Sequence, residues 1–373
     1  MLLEKLIRIL KKVKDFKVNI AYSRCEKHVL TFACQEMGWQ LTTKKGDGDI
    51  IWFIDGVKSD QIDMVRNLTY GHFNRYPKSY ILCNKREFHI LLNKYSNFFP
   101  DAFKFVPNTF VLPDDYVEFK DHFETHKDAI LIAKPSKGRC GQGIFFWKEH
   151  QDLDHEKMKE CLYIAQDYIP NPLLIDNKKF DFRLYFMICG VDKMEAYIAF
   201  EGMSRFCTED YIPPKASNDN IDDEEREMMK MNGYSEDNLM SHLTNYSLNK
   251  TSLKFVNNND FQQKDDGSKR LLSTVMKLME ERGVDIDKFK SDVKDICTKL
   301  AYAYRPHLVN NYHKVIGPSD EVNQNWFHIF GLDVMVDDDH KVWLLEINCF
   351  PSFDCRLDEI EIDPETKKKV KVK

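Results

Sequence analysis

Strand-like and helical stretches interleave along this chain without strict βαβ alternation, and several strand pairs lie close enough in sequence to form hairpins. Those two observations predict an α/β (α+β) fold with largely antiparallel sheets. A third sets the scale. The 373 residues are 43% apolar and 31% charged, with 15 Gly and 13 Pro. That is too apolar for disorder and too poor in Gly and Pro for a fibrous chain. At roughly 150 residues per domain the length implies two or three domains, enough to bury a large core without disulfides or metals.

The elements follow in order. From Met1 to Lys17 the apolar residues Leu3, Leu6, Ile7, Leu10 and Val13 fall at helical spacing with lysines between them, unlike the apolar block of a signal peptide. Val18 to Tyr22 reads as a strand, Glu26 to Met37 as a helix and Ile50 to Ile54 as a short strand. A helix near Lys85 to Tyr95 precedes "FVPNTFVLPDDY", an extended stretch punctuated by Pro. Ala129 to Ala133, a turn with Gly138, Gly141 and Gly143, and Ile144 to Trp147 read as strand, Gly-rich loop, strand. Longer strands follow at Leu162 to Ile169, Phe182 to Cys189 and Glu195 to Phe200, then helices at Leu271 to Arg282 and Phe289 to Tyr304. The last two strands, Phe327 to Val336 and Val342 to Ile347, are joined by "DDDHK", most simply a hairpin turn at Asp337 to Asp339. Residues 213–227 and 257–269 read as polar connecting loops, and the chain ends in a basic "KKKVKVK".

Composition also excludes several classes. None of the 10 cysteines forms a Cys-x-x-Cys pair or an array with zinc-finger spacing, so a reduced, intracellular protein is the simpler reading. No apolar run approaches the roughly 18 residues of a membrane span. A net charge of −6 argues against coating nucleic acid through overall basicity.

Three features carry chemistry. The first is Lys134-Pro-Ser-Lys-Gly-Arg-Cys-Gly-Gln-Gly-Ile144. Glycines that expose backbone N–H groups beside Lys and Arg suit phosphates, although a three-glycine turn by itself is most often only a hairpin. No helix opens on a Gly-Lys-Ser/Thr, so it is neither a P-loop nor a Rossmann turn. The second is Asp333 in "FGLDVMVD" with Glu346 and Asn348 in "WLLEINCFPS". Glu346 and Asn348 share one strand face, and hairpin pairing brings Asp333 opposite them. Two carboxylates and an amide oxygen form a hard-oxygen set suited to Mg²⁺. Glu346 also interrupts an apolar run, where an unpaired charge is costly to bury. The third is the alternation of Lys179, Asp181 and Arg183 on one face of a strand. Periodicity leaves it open as a solvated edge or a floor facing phosphates. His242 has no metal-ligand partner at suitable spacing and reads as structural or capping. No Ser-His-Asp or Cys-His signature supports covalent hydrolysis.

In this order, "FVPNTFVLPDDY", "IAKPSKGRCGQGI", "QDYIPNPLLIDNKKFDFRLY", "EGMSRF", "HLTNYSLNK", "DGSKRLLS" and "FGLDVMVD…VWLLEINCFPS" resemble the tubulin tyrosine ligase-like family, most of all its glutamylating members. The match runs from about Lys85 to Ser352. It implies an ATP-grasp fold with lobes at 1–70 (selecting the protein substrate), 71–168 and 169–373, and ATP between the last two. It further implies that Lys85, Lys134 and Lys179 reach phosphates, that Cys140 and Gly141 cover them, and that Gln166, Tyr168 and Ile169 line the adenine slot. Asp181, Thr244 and Asn245 complete the nucleotide pocket, Asp333, Glu346 and Asn348 hold Mg²⁺, and Arg183 and Arg205 are catalytic, facing the transferred phosphoryl and the incoming amino acid. Tyr246 and Lys269 lie near that amino acid. The alignment is looser there because of the "NNNDFQQKDDG" loop.

The implied reaction activates a carboxylate on tubulin's acidic tails with ATP and joins a free amino acid to it through an acyl phosphate. Glutamate is favoured, since its side-chain carboxylate needs a buried cation that Lys269 can supply. The plainer alternative is that Lys269 ends a solvated loop before the helix at Leu271. Glycine or tyrosine ligation and an inactive microtubule-binding relative are the alternatives. The resemblance also implies a monomer of the cytoplasm and cytoskeleton, with the cilium or basal body as a finer expectation. Because the chain is itself acidic, local basic surface must meet the tubulin tail.

Overall fold

The structure, a computed structural model, describes residues 15–23, 27–54, 57, 59–67, 71–137, 141–148, 162–214, 239–256, 267–317, 325–353, 360–362 and 369–371. The N-terminal helical pattern up to Val13, Gly138, Cys140 and most of both polar loops lie outside the described residues.

Three sheets carry the architecture. The N-terminal sheet has the order β2-β1-β3-β4, from β1 (Lys17–Asn19), β2 (Gln40–Thr42), β3 (Ile50–Ile51) and β4 (His72–Phe73). All its pairings are parallel, unlike the antiparallel pattern expected of the chain. The helices α1 (Lys27–Met37) and α2 (Ser59–Asn67) supply the crossovers that parallel neighbours require. Helix α3 (Lys85–Phe98) follows, capped by the Asn84 side chain accepting from the Arg86 N–H.

The central sheet is antiparallel in the order β5-β8-β6-β7, from β5 (Thr109–Val111), β6 (Leu131–Pro135), β7 (Phe145–Trp147) and β8 (Tyr163–Asp167). Helix α4 (Tyr116–Thr125) packs Phe119 and Phe123 onto it. The glycine turn is a β6–β7 hairpin, as the spacing implies. At Gly143 a Cβ would sit 2.8 Å from Pro135 Cγ, so only glycine lets the turn fold back on its own strand.

The third sheet places the site. Its order is β12-β11-β10-β13-β14, antiparallel throughout, from β10 (Lys178–Cys189), β11 (Glu195–Phe206), β12 (Lys269–Leu271), β13 (Phe327–Val336) and β14 (Val342–Asn348). A short strand β9 (Leu174–Ile175) pairs with the start of β10. Along β10, Phe180, Phe182, Leu184, Phe186 and Ile188 are buried on one face. They join one core with the helices α7 (Leu272–Glu280) and α8 (Ile286–Val315). Two four-residue helices, α5 (Leu239–His242) and α6 (Tyr246–Asn249), lie before β12.

One helical expectation changes markedly in length. Helix α8 runs through Pro306 to Val315, well past Tyr304. Pro306 is exposed, and the carbonyl it leaves without an N–H partner belongs to exposed Tyr302. Buried Leu308 and Tyr312 hold the last turns against the core. Lys269 begins a strand and does not end a loop. Among the described residues no helix is long and apolar enough to cross a membrane.

Candidate active site

Beneath the glycine hairpin, between the central and third sheets, lies a cavity of about 1420 Å³. Its walls include Lys85, Lys134, Gly141, Gln166, Tyr168, Ile169, Lys179, Asp181, Arg183, Arg205, Thr244, Asn245, Tyr246, Asp333, Glu346 and Asn348. Residues up to 263 positions apart thus share one space, as the motif order implies. Lys269 is absent from the lining, and Cys140 lies outside the described residues.

The floor is the third sheet, and its register sorts the charges. One cross-strand row runs Lys269, Arg205, Asp181 over β12, β11 and β10. A second runs Arg183, Asp333, Glu346 over β10, β13 and β14. The period-2 face of β10 is therefore the cavity floor and not a solvated edge. Arg183 grips Asp333 with two bonds, from Nε at 2.6 Å and from a terminal nitrogen at 3.1 Å. Arg205 bonds Asp181 through Nε at 2.8 Å and reaches Asp333 at 2.9 Å. The Thr244 hydroxyl donates to Asp181 at 2.6 Å. Burial opposes the charge on Asp333, but the two arginines outweigh it and hold the carboxyl well below the usual carboxylate range. Burial likewise opposes the charge on Arg205, and Asp181 and Asp333 outweigh it, raising its pKa well above the usual value.

Three lysines complete the walls, Lys179 from β10 itself, Lys134 from β6 and Lys85 from α3. Lys134 Nζ donates to Gln166 Oε1 at 2.7 Å, and Gln166 Nε2 donates to Thr109 Oγ1 at 3.0 Å. Lys179 Nζ donates to the Tyr168 hydroxyl at 2.9 Å and lies 4.3 Å from the centre of its ring. Burial pulls both lysines down to about 8. Lys85, at the first turn of α3, pairs with Glu346 Oε1 at 3.1 Å, so the charge that interrupts the apolar run has its partner. His242 Nδ1 lies 2.9 Å from the Tyr168 hydroxyl and is pulled to about 4 by burial, next to Lys179 and Lys148. It lines the cavity beside Tyr168 as a neutral histidine.

Lys269 Nζ sits 3.4 Å from the centre of the Tyr246 ring, close enough for a cation–π contact. Since Tyr246 lines the cavity, Lys269 stands one side chain back from it.

Sequence reasoning missed three contributors: Thr109, which orients Gln166, Lys78, which lines the mouth, and Gly331. Only Gly331 left a signal, as a glycine inside a strand pattern. A Cβ there would lie 2.9 Å from Pro351 Cβ and 3.0 Å from Arg183 Cδ. Gly331→Ala is therefore expected to displace Arg183 and destabilise the chain by about 1–3 kcal/mol through overpacking. Urea unfolding of the variant beside wild type would measure it; unchanged stability would mean that the sheet yields freely there.

The profile of the tubulin-tyrosine ligase family matches residues 63–362. The chain is 35% identical over 322 residues to a probable beta-tubulin polyglutamylase of Tetrahymena thermophila, covering 84% of this chain and 25% of that protein. It is 31% identical over 351 residues to tubulin polyglutamylase TTLL6 of Mus musculus, covering 94% and 39%. With tubulin polyglutamylase TTLL11 of the same species the identity is 32% over 365 residues, covering 94% and 46%. The chain thus spans from a quarter to under half the length of these relatives. A basic cavity over a carboxylate–arginine floor, the ordered motifs and the matched profile lead to one assignment: the chain belongs to the tubulin-tyrosine ligase family and has its ATP-grasp-like fold.

Proposed function

We propose that this chain is the catalytic part of an ATP-dependent ligase that adds glutamate to glutamate side chains of tubulin tails. The observation that carries the reading is the meeting, in one cavity, of three lysines and a floor of paired carboxylates and arginines. The names of the relatives support tubulin as the protein substrate and glutamate as the amino acid, in preference to glycine or tyrosine. The three separate sheets support lobes divided near residues 70 and 168. A cytoskeletal setting follows from that substrate.

On this reading Gln166, Tyr168 and Ile169 hold the adenine, while Lys85, Lys134 and Lys179 bind the phosphates under the hairpin at Gly141. Asp181, Thr244 and Asn245 hold the rest of the nucleotide. Arg183 and Arg205 balance the charge of the phosphoryl group and of the amino acid's carboxylate, with Lys269 and Tyr246 beside its side chain. ATP phosphorylates the acceptor carboxylate, and the amine of free glutamate displaces phosphate from the acyl phosphate to form the amide. Positioning and charge neutralisation account for most of such catalysis.

The site fits a magnesium ion. Its donor set is hard oxygen, the carboxylates of Asp333 and Glu346 and the amide oxygen of Asn348, while Asn348 Nδ2, buried without a hydrogen-bond partner among the described residues, is a donor that a phosphate oxygen beside the ion would satisfy. Among the described residues no cluster of three His, Cys, Asp or Glu forms a closed cage. Asp333, Glu346 and Asn348 would therefore share the ion with the phosphates it accompanies, which is how Mg²⁺ is commonly held. It supplies charge neutralisation when bound.

The direct test incubates the purified chain with ATP, Mg²⁺ and tubulin and offers radiolabelled glutamate, glycine and tyrosine in turn. Glutamate incorporation is expected. Incorporation of another amino acid alone overturns the choice of glutamate, and failure to bind ATP at all overturns the ligase reading.

Binding should also respond to pH. Lys134 and Lys179 fall to about 8 in the free chain, whereas phosphates favour the charged form. Affinity for ATP is therefore expected to stay level below pH 8 and to weaken above it. The slope would be up to about tenfold per pH unit for each lysine, with proton uptake on binding near pH 8.5. Titration calorimetry in two buffers of different ionisation enthalpy measures that uptake. A flat affinity from pH 7 to 9.5 would remove these lysines from the phosphate site.

A further inference from the structure

We propose that His242 is a positioning residue for phosphate binding: through the Tyr168 hydroxyl it holds the ammonium of Lys179 where the phosphates bind. This deepens the ligase reading and rests on its assignment of Lys179 to the phosphates. All three side chains are buried, line the cavity and come from separate stretches of the chain. Lys179 is the second residue of β10, Tyr168 directly follows β8, and His242 ends α5.

The chemistry of the three groups gives the two hydrogen bonds their direction. Lys179 Nζ lies 2.9 Å from the Tyr168 hydroxyl oxygen, and His242 Nδ1 lies 2.9 Å from the same atom. An ammonium only donates, so the oxygen accepts from Lys179. The tyrosine's own proton goes to His242 Nδ1. That nitrogen can accept because burial, with Lys179 and Lys148 nearby, keeps the ring neutral, and the ring proton then sits on Nε2.

The chain from Nζ through the hydroxyl to Nδ1 carries no charge beyond that of the lysine. A carboxylate in the tyrosine's place would hold Lys179 as firmly but would cancel the charge that attracts phosphates. An ammonium has three N–H bonds, so with one given to Tyr168 two remain for phosphate oxygens. Packing keeps the acceptor aimed. The imidazole meets the rings of Phe146 on β7, Tyr168 and Tyr211 edge-on, with centroids 5.0, 5.6 and 5.5 Å away. The Tyr211 hydroxyl donates to the Pro170 carbonyl at 2.6 Å. A leucine would fill the same aromatic cluster; the hydrogen bond is what a histidine adds.

The experiment compares His242→Leu and His242→Asn with the wild-type chain in the binding of inorganic tripolyphosphate with Mg²⁺. That probe has no adenine, so lost contacts to the base do not enter, and it needs no turnover. Leucine keeps the bulk and loses the acceptor, whereas the asparagine amide oxygen stands near the position of Nδ1. A loss of about tenfold is expected in His242→Leu, the size of one charge-assisted hydrogen bond. His242→Asn should stay within about threefold of wild type. Tyr168→Phe removes the middle of the chain and should lose about as much as His242→Leu, and the double variant should lose no more than either. Wild-type affinity in His242→Leu overturns the proposal, as does an asparagine variant as weak as the leucine one, or losses that multiply in the double variant. Tyr168→Phe changes a single oxygen, so unchanged affinity there overturns the proposal even where His242→Leu does not fold. A wild-type chain that fails to bind tripolyphosphate overturns the phosphate-site reading and this proposal with it, whereas binding that ignores the variants overturns this proposal alone.

Discussion

Glu346→Gln is expected to lower amino-acid incorporation into tubulin by on the order of 100- to 1000-fold while leaving the fold intact. The magnitude is that of removing one preorganised electrostatic partner from a site where charge develops. Glu346 lies opposite Asp333 in the register and faces the cavity with Asn348 two residues along. On the proposed function it is one of two carboxylates available to a cation. The fold should survive because the side chain is part-exposed and glutamine has the same shape and can still accept from Lys85. Incorporation assays beside thermal unfolding separate the two effects. Normal turnover in a well-folded variant would remove Glu346 from the metal site.

Asp333→Asn should be both inactive and unstable. Asp333 is buried between Arg183 and Arg205, and removing its charge leaves two guanidinium groups with only Asp181 to share. Breaking a buried ion pair from one side costs about 3–5 kcal/mol, because the remaining charge is left without compensation. At about 2 °C per kcal/mol that is a fall of roughly 6–10 °C in the unfolding midpoint. The double variant Asp333→Asn/Arg183→Met should recover part of the stability and none of the activity. An unfolding midpoint equal to wild type in the single variant would mean that water screens the pair. The pH sign follows from the direction of the shift. The folded-state pKa of Asp333 lies well below that of the unfolded chain. Its stabilisation is therefore fully present above the ordinary carboxylate range, near pH 4, and is lost as pH falls through the folded value.

Local pattern determined much of this protein. Alternation put Lys179, Asp181 and Arg183 on one strand face, and the turn at Asp337 to Asp339 joined two strands that carry Asp333, Glu346 and Asn348 on facing positions. The glycine hairpin was legible for the same reason, since side-chain period and turn chemistry act over a few residues. The tertiary structure decided the partners. Whether the face of β10 met water or phosphate depended on the register that sets Arg205 against Asp181 and Arg183 against Asp333, strands 24 and 150 residues apart in sequence. No local period encodes that separation. Lys85 met Glu346 only because helix α3 packs against the third sheet, and Lys134 met Gln166 only because β6 pairs with β8, which follows it by about thirty residues. The same holds for the continuation of α8 past Pro306, where long-range burial of Leu308 and Tyr312 outweighs a local helix-breaking signal. Sequence proximity governs which residues share a face, whereas packing governs which charges meet across it.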